Sequence, residues 1–230
     1  MELTEVLLKQ LEHTLPIPGK TGVDWYLFSY FLSRNKNTKM LEIGAGSGGS
    51  TLTMASYAKN LTVIDSWHQG WDKKPVEDLI DSLRLPVKFI DKLSKNVSPT
   101  ELESYEFVHI DANKGYNDVI TDLDLASKVC NNIICVDDYL QSMWPEVTWA
   151  TDDWLKTSGW NRILIGNHQV FLSKKSYHLP EIVVNWSIVD CGKGLHVTYG
   201  KYPSDVIVNN FINAGAMKYS WHEFSQSKHP

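Results

Sequence analysis

Three carboxylates and one lysine are the side chains of this 230-residue sequence that are best placed to do chemistry. Asp111 and Lys114 follow one short apolar run, and Asp137 and Asp138 come directly after another. If these runs are neighbouring strands, the three carboxylates meet at one edge, where packed anions are costly unless a cation joins them. Carboxylate oxygens suit a hard cation, so we expect these three residues to bind Mg²⁺ or another divalent ion. The alternative is that they only cap the helices that follow.

A glycine-rich segment earlier in the chain is the second candidate site. Gly44, Gly46 and Gly49 satisfy G-x-G-x-x-G, which is typical of dinucleotide-binding proteins. The same segment contains an acid-x-Gly-x-Gly-x-Gly pattern, beginning at Glu42 and ending at Gly48, which resembles motif I of class I S-adenosylmethionine (SAM)-dependent methyltransferases. Glu42 favours the second pattern, because a carboxylate attracts the ammonium group of SAM and repels a pyrophosphate.

A further acidic residue indicates a ligand that contains a nucleoside. Asp65 ends an apolar run about 20 residues after the glycine-rich segment, where an acid can accept hydrogen bonds from ribose hydroxyls. NAD and SAM both carry this ribose, so Asp65 does not separate the two cofactors. Trp67 and Trp71 follow closely and could form a wall beside the adenine or the substrate. The alternative for Asp65 is a helix N-cap.

The elements that must position these residues alternate along the chain. Short apolar runs that read as buried strands are separated by helix-period segments, of which the clearest begins at Tyr116. In a parallel sheet of this kind, ligands lie outside the carboxyl ends of the strands. His109 lies inside one run and is interpreted as a core residue. The predicted strands are Met40–Ile43, Leu61–Ile64, Val87–Ile90, Phe107–Ile110, Ile133–Val136, Arg162–Ile165 and Gln169–Ser173.

The predicted fold class is α/β, with a Rossmann-like, doubly wound, mostly parallel seven-stranded sheet that ends in an antiparallel hairpin. A short C-terminal extension follows. One domain is expected, because no low-complexity linker interrupts the chain and because division into two domains would leave each of them small. Within it we expect N-terminal helices over 1–37, with helical spacing near 3–14 and 22–34, a core over 38–175 and an accessory extension over 176–230. In the extension, 181–189 and 195–199 are predicted to pair.

The strand-end residues together resemble the metal-dependent O-methyltransferases. The catechol and caffeoyl-CoA type has Asp-x-x-Lys after the fourth strand and Asp-Asp or Asp-Asn after the fifth, and Asp111, Lys114, Asp137 and Asp138 match that pattern. The sugar O-methyltransferases of macrolide and aminocoumarin biosynthesis are similar through Asp-Asp-Tyr at 137–139, although Lys114 stands where they have His. The resemblance covers roughly residues 38–173.

The resemblance implies a SAM-dependent, Mg²⁺-dependent O-methyltransferase that acts on a hydroxyl of a small molecule, a sugar or a phenolic natural product. The cation would acidify the hydroxyl, and Lys114, with its pKa lowered by partial burial and by the metal, would accept the proton. Asp111 is the next candidate for this base. The expected cofactor contacts are Glu42, Gly44, Gly46, Gly48, Ser50, Asp65, Ser66, Trp67, Asp91 and Ser94.

Composition narrows the choice of partners. The chain has 22 basic and 27 acidic side chains, a net charge of −5, which argues against nucleic acid as an electrostatic partner. No apolar run approaches the length of a membrane span, the N-terminus lacks the features of a secretory signal, and three cysteines suit a reducing compartment. We therefore expect a cytoplasmic protein with a small-molecule substrate, and the C-terminal hairpin is a candidate contact for a homo-oligomer.

Three other functions fit parts of the pattern. An NAD-binding oxidoreductase is suggested by the literal G-x-G-x-x-G, but Glu42 and the acids after the fifth strand argue against it. A SAM-binding protein without catalysis remains open because Lys114 replaces a His of the sugar enzymes. A methyltransferase that needs no metal is the nearest alternative, and its activity would survive removal of divalent cations.

Overall fold

A computed structural model describes residue 28 and residues 31–68, 70–165 and 168–175 of the chain, together with the backbone of three short strands nearer the C-terminus. Strands and helices alternate through the main described region. The strands are β1 (Lys39–Ile43), β2 (Asn60–Asp65), β3 (Val87–Asp91), β4 (Tyr105–Ile110), β5 (Cys130–Asp137), β6 (Asn161–Ile165) and β7 (Gln169–Ser173). The helices are α1 (Gly49–Tyr57), α2 (Lys73–Ser82), α3 (Tyr116–Val129) and α4 (Pro145–Ser158).

These seven strands form one mixed sheet in the order β3-β2-β1-β4-β5-β7-β6. The first five strands pair in parallel, whereas β7 runs antiparallel to both β5 and β6. The predicted Rossmann-like sheet and its antiparallel hairpin are therefore confirmed. Because β1 to β5 are parallel, their carboxyl ends lie on the same side of the sheet, where the loops after them begin at residues 44, 66, 92, 111 and 138.

Apolar side chains of the central strands point to both faces of the sheet, as a sheet covered by helices on both sides requires. Leu41 and Val108 lie in one buried cluster, and their neighbours Met40 and Phe107 lie in the other. Helix α3 covers the first cluster with the apolar face that its sequence predicted. The members of that face are Tyr116, Val119, Ile120, Leu123 and Ala126.

A second, three-stranded antiparallel sheet lies in the C-terminal part, formed by β8 (Ser187–Asp190), β9 (His196–Tyr199) and β10 (Met217–Ser220). Pairing of β8 with β9 agrees with the predicted pairing of residues 181–189 with 195–199. Strand β10, which pairs with β8, was not predicted. At the other end of the chain, residues 31–34 are helical within the predicted segment 22–34, and the predicted helix at 3–14 lies outside the described residues. The expected single domain stays a prediction.

Among the described residues, no helix is long and apolar enough to cross a membrane.

Candidate active site

The loop that joins β1 to α1 takes a shape that favours glycine at two positions. Gly44 has φ 91° and lies against the end of β4, so that a Cβ atom there would be 2.4 Å from the backbone oxygen of Asp111. Gly48 has φ 82° and immediately precedes α1, where a Cβ atom would be 2.7 Å from a methyl group of Val76. The close approach of Gly44 to Asp111 places the glycine-rich loop next to the acidic residues that follow β4.

Asp65 supports the same loop from the neighbouring strand. Its Oδ2 atom accepts hydrogen bonds from the backbone N–H groups of Ala45 (2.7 Å) and Gly46 (3.2 Å). Its Oδ1 atom accepts a hydrogen bond from the backbone N–H of Trp67 at 2.7 Å. Ionised carboxylates have about four acceptor positions, so three bonds leave capacity for a ribose hydroxyl.

An open cleft lies over the carboxyl ends of the parallel strands. Five predicted cofactor contacts line it: Gly44, Gly46, Asp65, Ser66 and Ser94. The other lining residues are Ile43, Ile64, His68, Trp71, Lys92, Leu93, Lys95, Asp111, Ala112, Asn113 and Asp118.

The remaining predicted contacts, Glu42, Gly48, Ser50, Trp67 and Asp91, lie outside the wall of this cleft. Trp67 packs edge-on against Phe89, with 6.0 Å between the ring centroids. The Asp91 carboxylate faces away to form an ion pair with Lys73 at 2.9 Å. Gly48 and Ser50 are buried where α1 begins.

Glu42 is fully buried in the sheet. One carboxylate oxygen accepts a hydrogen bond from the Thr51 hydroxyl, and the other lies 3.3 Å from Nδ1 of His109. This arrangement follows from the sheet register, which places Glu42 of β1 directly beside His109 of β4. The structure thus brings Glu42 to a histidine, whereas we had expected it to face the cofactor.

Lys114 lies among the three predicted metal-binding carboxylates. Its ammonium group forms an ion pair with Asp111 and lies 2.8 Å from Oδ2 of Asp138. Burial by itself would lower the pKa of Lys114, but the charges of Asp111, Asp138 and Asp137 outweigh burial and hold the pKa above its usual value. Neighbouring carboxylates therefore outweigh the expected effect of burial, and the lowering of this pKa by a bound metal stays a prediction. Lys114 is the counter-ion of the cluster in this arrangement.

A group with the composition of a metal site lies beside this ion pair. His109, Asp111 and Asp137 each offer one ligand atom, and these atoms all lie within 4.8 Å of one another. The trio differs from the predicted set, since it contains His109 and leaves Asp138 with Lys114. Sequence reasoning had interpreted His109 as a core residue. The signal that could have revealed it is its place two residues before Asp111, because alternate strand residues share a face.

Asp122 of α3 is an acidic residue that sequence reasoning missed. It is 1% exposed and is hydrogen-bonded to Ser94, a residue of the cleft wall. Its Oδ1 atom has no hydrogen-bond partner among the described residues. Burial raises the pKa of Asp122 to about 7, with the charge of Asp118 adding to the effect.

No protein-family model and no curated protein matches the sequence. Solved structures do match the fold. The matching structures include enzymes whose names give chemically different substrates, an rRNA and a TDP-rhamnose. The chain has the fold of the class I SAM-dependent methyltransferases.

Three of these structures illustrate the range of proteins that share the fold. The methyltransferase PaMTH1 of Podospora anserina, solved with S-adenosylhomocysteine (SAH), is 16% identical, with a TM-score of 0.58 over 75% of this chain and 88% of that one. CalS11, a TDP-rhamnose 3′-O-methyltransferase of calicheamicin biosynthesis, is 13% identical, with a TM-score of 0.56 over 76% and 92%. An rRNA methylase from Streptococcus thermophilus is 12% identical, with a TM-score of 0.54 over 66% and 96%. At these identities the likeness shows the fold alone.

Proposed function

We propose that the chain is a SAM-dependent methyltransferase that methylates a hydroxyl of a small molecule with the help of a divalent cation. One observation carries the proposal: Asp111 lines the cleft beside the glycine-rich loop and also belongs to the acidic cluster. A cofactor in the cleft and a hydroxyl at the cluster would therefore lie next to each other. Such proximity is the main requirement for a displacement between two bound reactants.

The cleft wall offers the groups that a nucleoside cofactor requires. Gly44 and Gly46 leave the backbone of the loop open, while Asp65 and Ser66 lie at the end of the neighbouring strand and Ser94 lies after β3. The Trp71 indole lies 3.8 Å from the position of a Cβ on Gly46, so it covers the loop from the solvent side. An aromatic cover of this kind supports a flat, partly apolar ligand such as adenosine.

Two features favour SAM over NAD. The dinucleotide-binding fold has the strand order 3-2-1-4-5-6, whereas this sheet ends with an inserted antiparallel β7. NAD would also place its pyrophosphate at the N-terminus of the helix after the glycine loop. In this chain the side chain of Val76 packs against Gly48 at that helix terminus.

SAM supplies a methyl group that is already activated on a sulfonium, so the protein must position the acceptor and remove its proton. As the methyl carbon forms its bond to the acceptor oxygen, the carbon–sulfur bond breaks and SAH leaves. Lys114 and Asp111 are the two candidates to accept the hydroxyl proton, since both lie in the acidic cluster. Lys114 keeps the carboxylates of Asp111 and Asp138 in place.

The acidic cluster also fits the divalent cation of the proposed reaction. Asp111, Asp137 and Asp138 supply the hard oxygen donors that we expected for Mg²⁺. His109, whose buried Nε2 has no partner among the described residues, offers a ring nitrogen near Asp111 and Asp137. A cation held there would act as a Lewis acid on the substrate hydroxyl.

A small acceptor is favoured over nucleic acid. The net charge of −5 and the concentration of carboxylates at the site would repel phosphate backbones. In the segment that follows Asp138 along the chain, the exposed apolar side chains of Leu140, Met143 and Trp144 offer a surface for a sugar or phenolic ring. The sugar specificity of CalS11 supports testing sugar acceptors together with catechols.

Calorimetric titration of SAM, SAH and NAD, followed by transfer of radiolabelled methyl from SAM to catechols and nucleotide sugars, tests the proposal. We expect SAM and SAH to bind, NAD not to bind, and the D111N variant to lose at least 100-fold in transfer. The matched control is Asp78→Asn, which changes an exposed acid of α2 that is far from Asp111 in the sequence. Binding of SAH with no transfer to any hydroxyl would favour a non-catalytic SAM-binding protein. Binding of NAD alone would refute the proposal.

A further inference from the structure

His109 is buried between a carboxylate and an aromatic ring. Its side chain is 2% exposed, its Nδ1 atom lies 3.3 Å from Oε1 of Glu42, and its ring centroid lies 4.7 Å from that of Phe28. Its Nε2 atom is buried and has no hydrogen-bond partner in the part of the chain that the structure describes. A buried imidazole nitrogen in this state is uncommon, because buried polar atoms are usually paired.

When the ring donates Nδ1–H to Glu42, Nε2 carries a lone pair that can bind a cation. The carboxylates of Asp111 and Asp137 offer ligand atoms near the same ring. A cation between the three side chains would be attracted by both carboxylates and would give the buried nitrogen a partner.

We infer that His109 is the nitrogen ligand of a divalent transition-metal ion, which it shares with Asp111 and Asp137. Their ligand atoms lie within 4.8 Å of one another. Two ligands on opposite sides of a metal, at about 2.0–2.2 Å each, are about 4.4 Å apart, and neighbouring ligands are closer. The three side chains must therefore close on the ion to form the site.

The nitrogen ligand determines which metal the site prefers. Oxygen ligands alone suit Mg²⁺, but an imidazole shifts preference towards the series from Mn²⁺ to Zn²⁺. Glu42 strengthens this preference, since a carboxylate that accepts Nδ1–H fixes the tautomer and orients the ring of a metal-bound histidine. Thr51 in turn holds the second oxygen of Glu42. Glu42 is therefore a positioning residue for the metal site.

The charges of the cluster fit one such ion. Asp111, Asp137 and Asp138 carry three negative charges, and the Lys114 ammonium offsets one of them. A single divalent cation neutralises the remainder, which favours its binding in a partly buried site. This inference refines the cation of the proposed function and rests on it for the role of the metal in catalysis, but not for its binding.

Metal binding by the full chain, stripped of metals and without SAM, tests the inference directly. We expect calorimetry to give a Kd for Mn²⁺ at least tenfold below that for Mg²⁺. Electron spin echo measurements on the Mn²⁺-loaded wild-type protein should show coupling to a ¹⁴N nucleus of an imidazole, a result that needs no variant. Equal affinities for the two ions, no binding, or the absence of ¹⁴N coupling would overturn the inference and leave water as the occupant.

Variants then assign the nitrogen. His109→Gln should lose the ¹⁴N coupling and at least tenfold in Mn²⁺ affinity, with a much smaller change for Mg²⁺, whereas the control variant His68→Gln, in the cleft wall but outside the trio, should keep both. Glu42→Gln should weaken Mn²⁺ binding by about tenfold with the coupling retained. Titration of each variant with SAH reports separately on the proposed methyltransferase function. The assignment of His109 as a metal ligand and the proposed function can therefore fail independently.

Discussion

Replacement of Gly44 by alanine is the sharpest test of the link between the glycine-rich loop and the acidic cluster. The new methyl group would lie 2.4 Å from the backbone oxygen of Asp111 and 2.6 Å from the backbone nitrogen of Ala112. Unlike the end of a flexible side chain, these backbone atoms cannot rotate away. The end of β4 must therefore move relative to β1.

Two costs combine in the Gly44→Ala variant. An L-residue at φ 91° costs about 1–2 kcal/mol, and overpacking against a backbone typically costs about 1–3 kcal/mol. We expect the free energy of unfolding to fall by about 2–5 kcal/mol, which for a chain of this size lowers Tm by about 5–15 °C. Because Asp111 moves with the end of β4, SAH affinity should fall as well.

Gly159→Ala is the matched control. Gly159 has φ 73°, and a Cβ atom there would meet nothing within 4 Å. The free energy of unfolding of Gly159→Ala should therefore fall only by the cost of the backbone conformation, about 1–2 kcal/mol. Its SAH affinity should not change. Thermal and urea denaturation, with SAH calorimetry, compare the two. If Gly44→Ala were no less stable than Gly159→Ala and bound SAH equally well, the close approach of the loop to Asp111 would be refuted.

Three further predictions concern the charged groups of the site. Lys114→Met should lower the free energy of unfolding by about 3 kcal/mol, because it leaves buried carboxylates without their counter-ion. Denaturation in the presence of Mn²⁺ should show that the lost stability is recovered. If Mn²⁺ restored no stability, a shared cation site would be contradicted. Asp122 has a folded-state pKa raised to about 7, so its stabilising contribution is complete below pH 4 and is lost as pH rises to 7. The free energy of unfolding of Asp122→Asn should therefore rise, relative to that of the wild type, by up to about 4 kcal/mol as the pH rises through that window. If the difference in free energy of unfolding between the two proteins does not change with pH, Asp122 ionises normally. Asp65→Ala should weaken SAH binding at least tenfold in calorimetry, since two backbone N–H groups of the glycine-rich loop and that of Trp67 lose their acceptor. Unchanged affinity would mean that Asp65 neither supports the loop nor contacts the ribose.

The order of the elements could be predicted from local patterns. Apolar runs bounded by glycine or by acids predicted all seven strands of the main sheet, and the helical period that begins at Tyr116 predicted α3. These patterns depend on which residues must be buried, a property that the chain carries residue by residue. Strand β10 lacked such a signal, and the sequence did not predict it.

The positions of the loops at the strand ends could also be predicted, because parallel strands bring their carboxyl ends to one edge. Gly44, Asp65 and Asp111 consequently lie on the cleft as expected. Trp67 and Asp91 do not, since a residue's place in the chain determines which end of the sheet it reaches but not the direction of its side chain. Trp67 packs on Phe89, and Asp91 pairs with Lys73.

The sequence by itself thus determined the α/β fold class, the glycine-rich loop and the presence of three carboxylates at neighbouring strand ends. Only the tertiary structure decided what those groups contact. The register of β1 against β4 sets Glu42 beside His109, and the meeting of the loops after β4 and β5 places Lys114 between Asp111 and Asp138. The pKa of Lys114 and the composition of the candidate metal site follow from these contacts between distant segments, because charges act through space and not along the chain.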